Sequence, residues 1–200
     1  MTDAGWPVTY AEIDRVSDEI AAGLARRGVR PGDVVALVLP PGPEYLLAYC
    51  GIAKLGAITA GVNDRLSERE RKAVLDVADP VLVVDDAPAD ALDDVLRDLR
   101  VAGAPPADPL PEDPDRPVAI IFTSGTTGLP KGALYCERQL AFITQTDVGD
   151  GWGAGGRSFT GTSFAAPRLH DEAARQPAPR WDELHHDALA RRRRPGAARA

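Results

Sequence analysis

Apolar residues along the first hundred positions recur with two alternating periods. Tyr10, Ile13, Val16, Ile20 and Leu24 share one helical face behind a Thr9-x-x-Glu12 capping box. The spacing predicts a helix to about Arg27, ended by Gly28. Val34–Leu39 is a continuous apolar run of strand length, the pattern of a sheet covered on both faces. Glu44–Leu55 is nearly all apolar and reads as a buried helix, and Ile58–Val62 as a short strand. Ser67-x-x-Glu70 is a second capping box, opening a helix to about Ala78. Val81–Val84 reads as another buried strand, and Leu92, Val95, Leu96 and Leu99 mark one more helix. Strands alternating with helices predict an α/β fold, a partial doubly wound and mostly parallel sheet.

From residue 102 to 117 the periodicity stops, and six prolines make the segment an extended connector. Val118–Phe122 is then a strand, and Gly132-Ala-Leu-Tyr135 a return to strand. Glu137–Thr146 has helical character, and the glycine-rich stretch Gly149–Gly156 reads as a turn or linker.

Between those two strands lies Thr123-Ser-Gly-Thr-Thr-Gly-Leu-Pro-Lys-Gly132, which carries the chemistry. Gly125 and Gly128 let the backbone approach a ligand with no Cβ in the way, and successive N–H groups in such a turn form an anion-binding concavity. The hydroxyls of Ser124, Thr126 and Thr127 add donors, and Lys131 adds a mobile positive charge suited to phosphate. The composition therefore points to a polyphosphate. The spacing is not that of a Walker loop, because Leu129-Pro130 separates Gly128 from Lys131 and a strand, not a helix, follows.

Composition narrows the class. Of the 200 residues, 44% are hydrophobic and 26% charged, as in a soluble globular protein. No apolar stretch approaches the ~20 residues of a membrane helix, and the first residues lack the basic start and apolar core of a signal peptide. Cys50 and Cys136 read as reduced thiols, so the expected location is cytoplasmic. Net charge is −7, but residues 165–200 hold eight Arg against five Asp and Glu, which leaves −10 on the rest. So acidic a body argues against nucleic acid as a partner.

The segment Ile120–Gly132 resembles the phosphate-binding signature of the adenylate-forming (AMP-binding) enzymes: acyl-CoA synthetases, aryl-CoA ligases, luciferases and peptide-synthetase adenylation domains. Thr9–Asp14, Arg30–Pro40, Tyr49–Ala57 and Asn63–Ser67 resemble the opening of such an enzyme, in order, from about Trp6 to about Phe164. The resemblance implies a two-step acid–thiol ligase. A carboxylate displaces pyrophosphate from ATP to give an acyl-adenylate, and a thiol, usually that of CoA, then takes the acyl group. In that scheme Thr123, Ser124, Gly125, Thr126, Thr127, Gly128 and Lys131 would hold the terminal phosphates with Mg²⁺, and no residue acts as nucleophile.

No segment here matches the family's Tyr-Gly-x-Thr-Glu, its ribose-binding Gly-Asp, or its lid with the catalytic lysine. The expectation is an early part of the enzyme, inactive by itself. The alternative is a stand-alone nucleotide- or phosphate-binding module. Residues 1–164 are expected to form the truncated AMP-binding domain. Residues 165–200 hold no Val, Ile, Lys or Met, ten Ala, all three His and the run Arg191–Arg194. Such text is what a GC-rich gene yields when read out of frame, and this tail is expected to be disordered.

Overall fold

The structure is a computed structural model that describes residues 9–85, 92–123 and 130–148. In chain order the elements are α1 (Tyr10–Arg26), β1 (Val34–Val38), α2 (Pro43–Lys54), β2 (Ile58–Gly61), α3 (Glu68–Ala78), β3 (Leu82–Asp85), α4 (Leu92–Leu99), β4 (Pro117–Thr123), β5 (Lys131–Cys136) and α5 (Glu137–Val148). Both predicted capping boxes form. The Thr9 hydroxyl accepts from the Glu12 amide while the Glu12 carboxylate accepts from the Thr9 amide, and Ser67 and Glu70 repeat the exchange. The chain leaves α1 through Gly28 at φ +86°, a left-handed turn open to glycine.

The five strands form one sheet in the order β3-β1-β2-β4-β5. The first four are parallel, and β5 turns back antiparallel on β4. Every residue of β1 is buried because the sheet is covered on both sides. Val35 and Leu37 share one face with Ile20 and Leu24 of α1, Ile52 of α2 and Leu96 and Leu99 of α4. Val34, Ala36 and Val38 share the other with Val74 and Ala78 of α3, together with Ile120 and Leu134. Gly23 explains how α1 reaches α4, since a Cβ there would lie 1.5 Å from the carbonyl oxygen of Leu99.

One expectation needs correction, and a second gains a detail. The strand predicted as buried at Val81–Val84 is β3, an edge strand in which only Val84 is buried. Val83 is 41% and Val81 54% exposed. Its apolar run resembles that of β1, yet among the described residues β1 is its single neighbour in the sheet.

The proline-rich connector is extended, as predicted, but it is strapped down onto α1. Glu19, 3% exposed, accepts from Arg100 Nε at 2.9 Å and Nη2 at 2.6 Å, from the Gly103 amide at 3.1 Å and from Arg15 at 2.9 Å. Its neighbour Asp18 accepts from Lys54 at 2.7 Å and from the Ala107 amide at 3.1 Å. Along the strap Val101, Ala104, Ala107 and Leu110 are half-buried between more exposed residues, a period of three that suits a polyproline-like ribbon lying on one of its faces.

Among the described residues two buried side-chain groups lack a hydrogen-bond partner, the Thr59 hydroxyl and the Arg71 Nε. Thr59, in β2 opposite Val35, is 2% exposed and its hydroxyl makes no hydrogen bond. Thr59→Val keeps the shape and removes the orphan hydroxyl, so it should stabilise the fold by ~1 kcal/mol. The check is the urea midpoint, which should rise at unchanged m-value; a lower midpoint would contradict the burial argument.

Candidate functional site: the β4–β5 hairpin

Because β1 to β4 run parallel, their C-terminal ends lie along one edge of the sheet, where open α/β sheets bind ligands. The predicted loop leaves from that edge. Across the hairpin Thr123 is paired with Lys131, Phe122 with Gly132, Ile121 with Ala133, Ile120 with Leu134 and Ala119 with Tyr135. Both flanking residues of the loop, Thr123 and Lys131, are exposed. Opposed residues in an antiparallel pair stand ~5 Å apart, so a hydroxyl and an ammonium are offered side by side at the ligand edge. The remaining predicted site residues, Ser124, Gly125, Thr126, Thr127 and Gly128, lie outside the described residues, as does the tail from 165 on.

Gly132 has a packing reason of its own. A Cβ there would lie 2.9 Å from Ile120 Cγ2 and 3.2 Å from Phe122 Cε1, so the exit of the loop needs glycine for the hairpin to close.

Sequence reasoning missed two groups at the ends of the strands. On the ligand edge, Arg71 of α3 reaches the Asp85 carboxylate at 3.1 Å and the Asp64 carbonyl at 3.1 Å, while its Nε is buried without a partner. At the opposite end of the hairpin, Arg116 pairs with Glu137 at 2.6 Å. The second was visible in principle, as opposite charges placed just outside the two strands.

A cleft of about 420 Å³ lies elsewhere, between the strap and the last turn of α2, lined by Asp14, Asp18, Lys54 and Pro106–Leu110. It adjoins the N-terminal end of β2, and with Asp14, Asp18 and Asp108 against Lys54 its lining is net negative, which does not suit an anion. Burial alone would raise the Asp18 carboxyl, but the Lys54 ammonium and the Ala107 amide outweigh it and hold the group below the ordinary carboxylate range. Burial likewise opposes ionisation of Glu19, and the Gly103 amide with Arg100 and Arg15 reverses the balance. Among the described residues no three His, Cys, Asp or Glu side chains are grouped to hold a metal ion. No helix among them is long and apolar enough to cross a membrane.

The family model described as "AMP-binding enzyme" matches residues 2–166. The chain is 31% identical over 159 residues to 4-coumarate–CoA ligase 2 of Petroselinum crispum, covering 68% of this chain and 29% of that enzyme. It is 31% identical over 169 residues to the fatty acid–[acyl-carrier-protein] ligase ScoC of Streptomyces coeruleorubidus, covering 74% and 31%. The match thus spans under a third of the length of either relative. Among solved structures, the N-terminal subdomain of Klebsiella oxytoca NpsA, in complex with 3-hydroxyanthranilyl-AMSN, superposes with TM-score 0.62 at 26% identity, over 72% of this chain and 38% of that one. The mostly parallel five-stranded sheet is therefore that of the N-terminal subdomain of adenylate-forming enzymes, and the chain belongs to the AMP-binding enzyme family.

Proposed function

We propose that Thr123–Gly132 is the polyphosphate-binding loop of an acid-activating ligase, one that joins a carboxylate to ATP as an acyl-adenylate and passes the acyl group to a thiol. The observation that carries this reading is the pairing of Thr123 with Lys131 at the C-terminal edge of a parallel sheet, in a chain of the AMP-binding family. ATP supplies the activated phosphorus. The chain's own part is to gather the terminal phosphates: Lys131 lends charge, Thr123, Ser124, Thr126 and Thr127 lend hydroxyls, and Gly125 and Gly128 admit the backbone amides. A hydroxyl and an ammonium on adjacent strands fit a polyphosphate; Mg²⁺ would enter with the nucleotide, and we assign it no ligand.

Relatives that act on aromatic and on fatty acids match comparably well, so a carboxylic acid is the substrate class, with CoA or a carrier-protein thiol as acceptor. The division into an AMP-binding part, 1–164, and a distinct tail, 165–200, is supported by the reach of the family match to residue 166.

Calorimetric titration tests the reading. Affinity should follow phosphate count, with tripolyphosphate and ATP above ADP and ADP above AMP. Lys131→Ala should weaken the first two about tenfold, the worth of one charge-assisted contact. Equal affinity for AMP and ATP, or an inert Lys131→Ala, would contradict it.

A further inference from the structure

The hairpin carries its ligand-side residues at one end, and its register is set at the other. Seven residues separate Thr123 from Lys131. A connection that long does not dictate register as a two-residue turn does. A slip of one residue would send every side chain of β5 to the opposite face, Lys131 included. The ladder is weakest at its start, where Pro117 has no N–H and the register shifts between Pro117 and Ala119.

That weak end is closed from outside the ladder. Arg116 Nη1 donates to Glu137 Oε1 at 2.6 Å, and the Glu137 amide donates to the Arg116 carbonyl at 3.0 Å. Arg116 also donates to the Pro111 carbonyl, the Arg138 amide donates to the Pro114 carbonyl at 3.0 Å, and the Arg138 guanidinium pairs with Asp115. The Arg116 side chain is only 16% exposed, so its pair with Glu137 is shielded more than an ordinary surface ion pair.

We propose that Arg116 and Glu137 form a clasp that fixes the β4–β5 register and so positions Lys131 against Thr123 for phosphate; this rests on the loop reading given above. Neither residue touches the ligand. They are positioning residues, acting through the length of the hairpin.

The test is tripolyphosphate affinity of the full chain for Arg116→Gln, Glu137→Gln, the double variant and Lys131→Ala, with a urea unfolding curve for each. Either clasp substitution should weaken binding about tenfold in protein shown to be folded. The double variant should be no worse than either single, since both break one pair. Lys131→Ala weakening binding while the clasp variants bind like wild type would overturn the clasp alone. A loss that merely tracks the unfolded fraction would overturn it too. If Lys131→Ala binds unchanged, the loop reading fails. The clasp's hold on register is then judged by the cross-strand NOEs of opposed residues such as Ile121 and Ala133, which Arg116→Gln should weaken; intact NOEs would overturn the clasp as well.

Discussion

Purified as these 200 residues, the protein should give no acid-dependent exchange of pyrophosphate into ATP, whichever carboxylate is offered. On the proposed reading the hairpin loop would collect terminal phosphates, but the reaction would join two anions, and its rate would depend on holding the carboxylate in line with the α-phosphorus. Alignment of that kind is worth up to ~7–11 kcal/mol of barrier, against which a phosphate contact of one or two kcal/mol is small. The chain spans 29–31% of the two ligases it resembles. Phosphate binding without turnover is the expected outcome. Exchange above the no-enzyme control, abolished by Lys131→Ala, would mean that fewer parts suffice than this account requires.

The second large effect lies in stability. Glu19→Gln should lower unfolding free energy at pH 7 by about 3 kcal/mol, the scale for breaking a buried ion pair from one side. Gln keeps the shape but turns an NH₂ group toward donors, with Arg100, Arg15 and the Gly103 amide all aimed at the same site. Against a usual total of ~5–15 kcal/mol, that is a large share. The pH dependence has a definite sign. Glu19 and Asp18 are both held below their ordinary values, so the folded protein binds fewer protons than the unfolded chain through the carboxylate range. Their contribution is complete above the unfolded carboxyl values and fades as pH falls through the folded ones. Urea titrations stepped downward from pH 7 should show a shallower acid loss in Glu19→Gln than in wild type. An unchanged midpoint at pH 7, or an identical acid slope, would contradict the role given to this residue.

What the sequence announces here is local, and what it conceals is distant. Thr9 with Glu12, and Ser67 with Glu70, are three residues apart, so each helix start is written in four residues and forms as read. The buried strand Val34–Val38 and the hairpin on either side of the phosphate loop are equally plain, because their apolar runs fit the sheet period. β3 misleads because an apolar run does not reveal how many neighbours a strand will have; Val83 lacks cover that Ala36, its partner in β1, enjoys. The strap misleads for a different reason. Its prolines signal extension, but its anchors, Asp18 and Glu19, stand more than eighty residues earlier on a helix face where two acids look like solvated charge. At the site, residue types pointed to phosphate, and the fold adds the ends of the loop, set opposite each other at the edge where ligands bind.

The central claim is that this edge, and no other part of the molecule, receives polyphosphate. Amide chemical-shift mapping during a tripolyphosphate titration tests it most directly. The account predicts saturable shifts centred on Thr123–Gly132, reached in Lys131→Ala only at about tenfold higher tripolyphosphate, with the cleft residues Asp14, Lys54 and Ala107 unmoved. Shifts centred on that cleft, or none in the hairpin at saturation, would contradict it.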